Sequence, residues 1–313
     1  MPSGTSRRPT GRISTKRNSA KRWKNTNAAT GALDASTPPR KSPMLSQRVL
    51  VVVVLLPLWV GLLFLGEIPF AIFMAFVILL AAREYGLLFR KGGYQPSLIF
   101  LMAGAAGLAW FHIEDRWTAP WLLAVIFGAS AWHLLAYERG REKAGTDFSI
   151  TLAGILYLGY LGAYLLKLRF LDYGAWWVLL VLPIVWIADS AAYFVGRRYG
   201  KHPLSPRLSP KKTWEGYWGG VAGGILAGCL LATAYGTAWG MAPPVQPWHG
   251  VALGALLGLL TPLGDLTESM FKRQFGVKDS SRLLPGHGGA WDRIDSWLWA
   301  APLGYYLIVW FFT

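Results

Sequence analysis

Three polar segments in the second half of the chain interrupt apolar sequence, and their residue types suit phosphate and a divalent cation. In the first segment Asp189, Tyr193 and Arg197 recur at four-residue spacing and would share one face of a helix. A carboxylate inside an apolar run is costly, so Asp189 predicts a functional site. A structural hydrogen bond to a neighbouring helix is the alternative for that residue.

A basic loop at residues 200–216 follows this face and is rich in proline, lysine and hydroxyl side chains. Its prolines disfavour a helix, and Lys211 and Lys212 carry point charges that suit phosphate oxygens. Ser209 contributes one of several hydroxyl donors for the same kind of ligand. The loop predicts a phosphate-binding segment, and an ordinary basic loop that only fixes membrane topology is the alternative.

The second segment ends another apolar run and places Asp265, Glu268, Ser269 and Lys272 at i, i+3, i+4 and i+7, on one helical face. Arg273 follows directly. This face therefore combines carboxylates with a cation at the boundary between membrane and water.

The third segment begins with Lys278 and Asp279 and continues into residues 286–289, of which three are glycine. Glycines let the backbone approach a ligand closely and leave N–H groups free for phosphate. Asp292 and Asp295 then face the same way at the start of the last helix, where a carboxylate pair could hold a cation. A salt-bridged helix start is the alternative for that pair.

Oxygen ligands among lysines and arginines suit Mg²⁺, which usually takes one or two carboxylates together with substrate phosphates. No cysteine or histidine near His287 completes a zinc site. The sequence also lacks GxxxxGK[ST], which argues against a P-loop nucleotidase. The candidate carboxylates are Asp189, Asp265, Asp279, Asp292 and Asp295.

These segments must be positioned by a membrane-spanning bundle. The 313 residues are 53% hydrophobic and only 15% charged, against about 25% in soluble domains. Nine apolar segments, most of about 20 residues, predict an all-α integral membrane protein with about nine transmembrane helices. They are residues 47–66, 67–83, 96–112, 118–137, 148–166, 174–196, 216–236, 248–271 and 291–312.

Charge and small residues add detail to this bundle. A net charge of +15 is explained by basic loops at an anionic membrane face, and no nucleic-acid partner is expected. The single cysteine, Cys229, excludes an intrachain disulfide. Glycines at four-residue spacing, at 220, 224 and 228 and at 250, 254 and 258, predict close helix packing, within the chain or between subunits.

The distribution of lysine and arginine orients the bundle. With the N-terminal tail inside, the inner loops carry 17 such residues and the outer loops only three. The tail, residues 1–46, has too little apolar content to fold and predicts a disordered basic cytoplasmic segment. An organellar transit peptide is the alternative. Residues 47–313 then form one polytopic catalytic domain in a cell membrane, with its catalytic part at about 180–300.

The third segment, together with the end of the second, closely resembles the pattern of the phosphatidate cytidylyltransferases, or CDP-diacylglycerol synthases. About 27 contiguous residues match with fixed spacing, and residues 189–193 and 209–216 are similar to further family blocks. The resemblance covers roughly residues 180–300. Ala290 departs from it, because the family usually has a larger aliphatic residue there.

The resemblance implies a homodimeric enzyme with a polar cavity that is open to the cytoplasm and laterally to lipid. It implies that phosphatidate and CTP give CDP-diacylglycerol and pyrophosphate with Mg²⁺, and a second cation is left open. Asp265 and Asp292 are then the expected metal ligands. Lys272 and Arg293 are expected to act with them in catalysis, next to the α-phosphate of CTP.

The remaining matched positions are expected to bind substrate. They are Asp189, Arg197, Ser209, Lys211, Lys212, Ser269, Arg273, Lys278, Asp279, His287, Gly288, Gly289 and Asp295. A CTP-dependent kinase of polyprenols or phytol is an alternative function, and it would release CDP instead of pyrophosphate. An ion-coupled transporter is a further alternative, although the carboxylates cluster at one face of the membrane and no inverted repeat is visible.

Overall fold

The computed structural model describes residues 45–238, 245–281, 283 and 288–312. The described residues belong to one compact unit, Leu45–Thr313. The predicted disordered tail, apart from its last two residues, and His287 lie outside the described residues. The predictions made for them are therefore untested.

Helices make up most of the described chain. In order they are α1 (Leu45–Leu65), α2 (Glu67–Lys91), α3 (Leu98–Phe111), α4 (Asp115–Glu138), α5 (Ala144–Gly154), a π-helical segment (Ile155–Tyr160), α6 (Leu161–Arg169), α7 (Gly174–Tyr199), α8 (Trp214–Ala238), α9 (Pro247–Leu260), α10 (Pro262–Gln274), α11 (Trp291–Ile294) and α12 (Trp297–Phe311).

Six helical stretches of the described chain are long and apolar enough to cross a membrane, and two shorter apolar helices accompany them. The prediction of an all-α membrane protein is thereby confirmed, whereas the count of nine spans stays a prediction. Two of the boundaries that differ from those expected affect the polar segments. α2 continues to Lys91, and the last long helix begins only at Trp297, because residues 291–296 form a short separate turn.

The basic loop folds into a β-hairpin, in which β1 (Pro203–Ser205) pairs antiparallel with β2 (Ser209–Thr213). Glu215, in the first turn of α8, accepts hydrogen bonds from the backbone N–H groups of Lys201 and His202, at 3.1 and 3.3 Å. The hydroxyl oxygen of Thr213 accepts one from the N–H of Gly216, at 3.1 Å. These bonds fix the hairpin between the end of α7 and the start of α8.

A cluster of aromatic side chains connects three helices near the polar segments. The Tyr85 ring on α2 lies 5.8 Å from that of Phe271 on α10 and 5.3 Å from that of Trp291 on α11. Phe271 and Trp291 complete the triangle at 5.8 Å. Tyr85 and Trp291 are fully buried. Burial of large aromatic surfaces is a main source of packing energy. This cluster therefore fixes the positions of α2, α10 and α11 relative to one another.

α8 and α9 pack with their backbones in contact along their glycine rows. A Cβ placed on Gly228 would collide with the carbonyl oxygen of Gly250, and the reverse placement collides as well. A Cβ on Gly224 would lie 3.0 Å from the carbonyl oxygen of Gly254. Close packing through these glycines is confirmed, and it occurs within the chain.

Gly250→Ala should therefore destabilise the fold by about 1–3 kcal/mol, the usual cost of overpacking a tight contact. The expected result is a lower midpoint of thermal aggregation in detergent. Gly61→Ala is the matched control, because a Cβ on Gly61 in α1 would meet no atom within 4 Å. An unchanged midpoint for Gly250→Ala would contradict the backbone contact described above.

Candidate functional site

A cavity of about 590 Å³ lies between α7, the hairpin, α8 and the start of α10. We refer to it as the polar cavity because five charged residues line it. Its charged lining residues come from the first predicted segment, from the basic loop and from the second predicted segment. The charged residues that line it are Asp189, Arg197, Lys211, Lys212 and Asp265. Side chains that are far apart in the sequence thus meet around one space, with both signs of charge present.

An ion pair between Lys212 and Asp265 joins the hairpin to α10 across this cavity. About one third of each side chain is exposed, 30% and 34% respectively. A partly solvated pair of this kind contributes little to stability. Both groups therefore remain available to a ligand that offers a cation to the aspartate and a phosphate to the lysine.

Asp265, which lines the cavity, also lies close to two further carboxylates, and we refer to Asp265, Glu268 and Asp295 as the carboxylate triad. One oxygen of each lies within 4.8 Å of the others. Glu268 is buried, and its Oε1 atom has no hydrogen-bond partner among the described residues.

Such a cluster is costly as it stands, because like charges close together disfavour ionisation. A divalent cation would neutralise the repulsion and would give the free oxygen of Glu268 a partner. The donor set is all oxygen, as Mg²⁺ prefers. The residues present thus fit a magnesium ion.

Lys272 lies between the triad and Asp292. Its Nζ atom donates to Glu268 Oε2 at 2.6 Å and to Asp292 Oδ1 at 2.7 Å. The other oxygen of Asp292 accepts from the backbone N–H groups of Gly289 and Ser280, at 2.8 and 2.9 Å, and lies 2.8 Å from the Ser280 hydroxyl, for which it competes with Glu84. Asp292 thus anchors the loop that precedes it, and its expected role as a metal ligand stays a prediction.

Hydrogen bonds compensate the burial of Asp292. Its oxygens accept from the backbone N–H of Gly289 and from the Nζ atom of Lys272, as a buried carboxylate requires. Asp292 thereby keeps the side-chain nitrogen of Lys272 beside the triad.

Glu84, a buried carboxylate on α2 that is only 3% exposed, was not among the predicted site residues. Its two oxygens accept four hydrogen bonds from the same loop. The donors are the hydroxyls of Ser280 and Ser281, at 2.8 and 2.6 Å, and the backbone N–H groups of Ala290 and Trp291, both at 3.0 Å. Because the predicted span ended at residue 83, Glu84 was counted as part of a loop; a carboxylate within a longer apolar helix would have been the signal.

Gly288 and Gly289 are required by this packing. Gly288 has a φ of +81°, and a Cβ there would press on Asp292. A Cβ on Gly289 would collide with Glu84 and Ser280. Both positions therefore tolerate only glycine in this arrangement. The packing of the loop alone is enough to explain these two glycines, whether or not a ligand contacts them.

The other expected site residues lie around these two centres. Ser269 donates to Asp265 at 3.4 Å, and Arg273 donates to the backbone oxygens of Leu208 and Val277 at 3.3 and 3.0 Å. Lys278 and Asp279 are exposed, and Ser209 is half-buried in β2. Arg293 is exposed and lines a different, apolar groove.

Comparison with known proteins identifies relatives of the whole membrane unit. Residues 46–311 match the model of a family described as the cytidylyltransferase family. A phosphatidate cytidylyltransferase of Pseudomonas aeruginosa is 40% identical over 275 residues, which are 83% of this chain and 95% of that protein. A phosphatidate cytidylyltransferase of Synechocystis is 36% identical over 85% of this chain and 97% of its own. One from Staphylococcus aureus is 32% identical, over 82% and 96% respectively.

Glu84→Gln should release the loop at residues 280–291. Each carboxylate oxygen accepts a backbone N–H, so an amide in either orientation would place its NH₂ group against a donor. Bonds to a charged acceptor contribute about 1.5–3 kcal/mol, so amide hydrogen exchange at residues 289–291 should accelerate about tenfold or more.

The matched control is Asp147→Asn, which alters another buried carboxylate that binds Arg141 and the N–H of Gln95. It should leave exchange at residues 289–291 unchanged. Equal exchange in the wild type and Glu84→Gln would mean that Glu84 does not hold the loop.

Proposed function

Since the chain belongs to the cytidylyltransferase family, we propose that it transfers the cytidylyl group of CTP to phosphatidate. The products are CDP-diacylglycerol and pyrophosphate. The observation that carries the proposal is the polar cavity, in which Asp189 and Asp265 face Arg197, Lys211 and Lys212 at the end of membrane-spanning helices. The printed names of the relatives support the same reaction.

The reaction needs no strong general base. An oxygen of the phosphatidate phosphate attacks the α-phosphorus of CTP, and the bond from that phosphorus to the departing pyrophosphate breaks. The attacking phosphate is already anionic near neutral pH, so no proton has to be removed. The barrier arises from bringing two anions together, and positioning and electrostatic stabilisation must lower it.

The described residues divide this task. The carboxylate triad, with Asp292 as a further candidate, would hold Mg²⁺, which when bound neutralises charge on the nucleotide phosphates. Lys272 is held beside the triad by two carboxylates and would face the α-phosphate. Lys211, Lys212 and Arg197 bring cations to the cavity, where they would hold phosphatidate or the departing pyrophosphate.

Orientation and assembly follow as further parts of the proposal. The cavity is lined by residues of the basic loop at 200–216, and the excess of lysine and arginine in that loop supports a position on the cytoplasmic side of the inner membrane. A homodimer remains the expected assembly. The glycine rows of α8 and α9 are occupied within the chain, so the dimer would use another face.

Incorporation of label from [α-³²P]CTP into lipid tests the reaction directly. Purified protein with phosphatidate and Mg²⁺ should transfer the label to the lipid fraction, release one pyrophosphate per labelled lipid and stop when EDTA removes the metal. Release of CDP with a lipid alcohol, and no labelled lipid, would instead establish the kinase alternative.

Asp265→Asn and Asp292→Asn should each lower turnover about a hundredfold or more, because each removes a charge that the site uses for the metal or for Lys272. Both proteins should still fold and elute as the wild type does. Asp172→Asn, at an exposed position after α6, is the matched control and should keep full turnover. Near-normal rates in both site variants would refute the assignment of these carboxylates.

A further inference from the structure

An apolar groove of about 540 Å³ lies beside α11. Its walls come from α1, α2, α7 and the segment 290–297. Trp59, Trp186 and Trp297 meet there, with ring centroids 5.9–6.1 Å apart. Arg293 is the single charged side chain among the described lining residues.

The segment 290–297 separates the groove from the catalytic residues. Ala290, Arg293, Ile294 and Trp297 follow i, i+3, i+4 and i+7 and line the groove. Asp292 and Asp295 project from the same segment toward Lys272 and the carboxylate triad. An amphiphile in the groove would therefore be separated from the reacting groups by one turn of helix.

Arg293 supplies the cation of the groove. Its guanidinium is exposed and forms no hydrogen bond or ion pair with another described side chain, although its charge acts on the nearby carboxylate of Asp295. A cation in an otherwise apolar groove suits a ligand with an anionic head and a hydrocarbon tail.

We propose that the groove binds an acyl chain of phosphatidate while Arg293 contacts its phosphate, so that the lipid substrate reaches the carboxylate triad from the α1–α2 side. This proposal rests on the proposed function. It separates the two substrates in space, with the nucleotide in the polar cavity and the lipid tail in the groove beside α11. Arg293 then acts on the lipid phosphate at the boundary between the two spaces.

A substitution that blocks the groove away from Arg293 should weaken the binding of long-chain phosphatidate more than that of short-chain phosphatidate. Val77 lies on α2 seven residues before Glu84, about 10 Å along the helix, and it lines the groove. Val77→Trp should raise the KM for dioleoyl phosphatidate about tenfold or more, because buried methylene contacts are lost. The KM values for dihexanoyl phosphatidate and CTP should stay within about twofold of the wild type.

The matched control is Val251→Trp on α9, an exposed position outside the groove, which should change none of these values. Arg293→Gln should raise the KM for both lipids and leave the KM for CTP unchanged. An unchanged KM for dioleoyl phosphatidate in Val77→Trp, or an equal rise in KM for both lipids, would overturn the proposal that the groove binds the acyl chain. If the wild type labels neither phosphatidate from [α-³²P]CTP, the proposed function itself has failed.

Photolabelling of the wild type provides a measurement that does not depend on a folded variant. Phosphatidate with a diazirine in its acyl chain should label peptides of α1, α2 or residues 290–297. Unlabelled phosphatidate should displace the label, and phosphatidylcholine should not. Displacement by both lipids would show that ordinary bilayer lipid occupies the groove, and labelling confined to other helices would show that the chain lies elsewhere; either result rejects the proposal.

Discussion

Lys272 has to remain charged inside a helical bundle, and the structure around the site depends on how that charge is compensated. A buried ammonium group is tolerated only when it is paired and hydrogen-bonded. Glu268, one turn earlier on α10, supplies the first carboxylate, and Asp292 supplies the second from the far side of a loop. The lysine thereby fixes the position of the last helices relative to α10.

The same compensation continues outward to α2. Residues 280–281 and 289–291 lie together beside Asp292, and Glu84 holds them by accepting hydrogen bonds from Ser281, Ala290 and Trp291. Tyr85, the next residue, packs on Trp291 and Phe271. Polar and aromatic contacts from adjacent positions of α2 therefore support one arrangement, which is how buried polar networks specify a single structure.

Much of this could be predicted from the sequence, because apolar runs of sufficient length have few other uses and the polar residues follow helical spacing. The face of α10 and the non-helical path of residues 200–216 were predicted for those reasons. Contacts between distant positions could not be predicted. Arg83 and Glu84 looked like the start of a loop, and only the loop at 280–291, about 200 residues later, explains why α2 carries a carboxylate there.

The position of Arg293 shows a second limit. It adjoins Asp292 in the sequence and was expected to act beside it. Successive residues of a helix point about 100° apart, so the two side chains lie in different spaces. Sequence proximity indicated the correct turn of helix, but only the packing of α1, α2 and α7 determines what each side chain faces.

The hydroxyl of Ser280 lies 2.8 Å from an oxygen of Glu84 and 2.8 Å from an oxygen of Asp292. A hydroxyl has a single hydrogen and can donate it to one carboxylate at a time. The loop therefore has two hydrogen-bonding states of nearly the same shape, in which the proton points either toward α2 or toward the reacting groups. A change in charge beside Asp292 during turnover would shift the balance between these states. The hydrogen bonding of Glu84 would then change without any movement of the backbone.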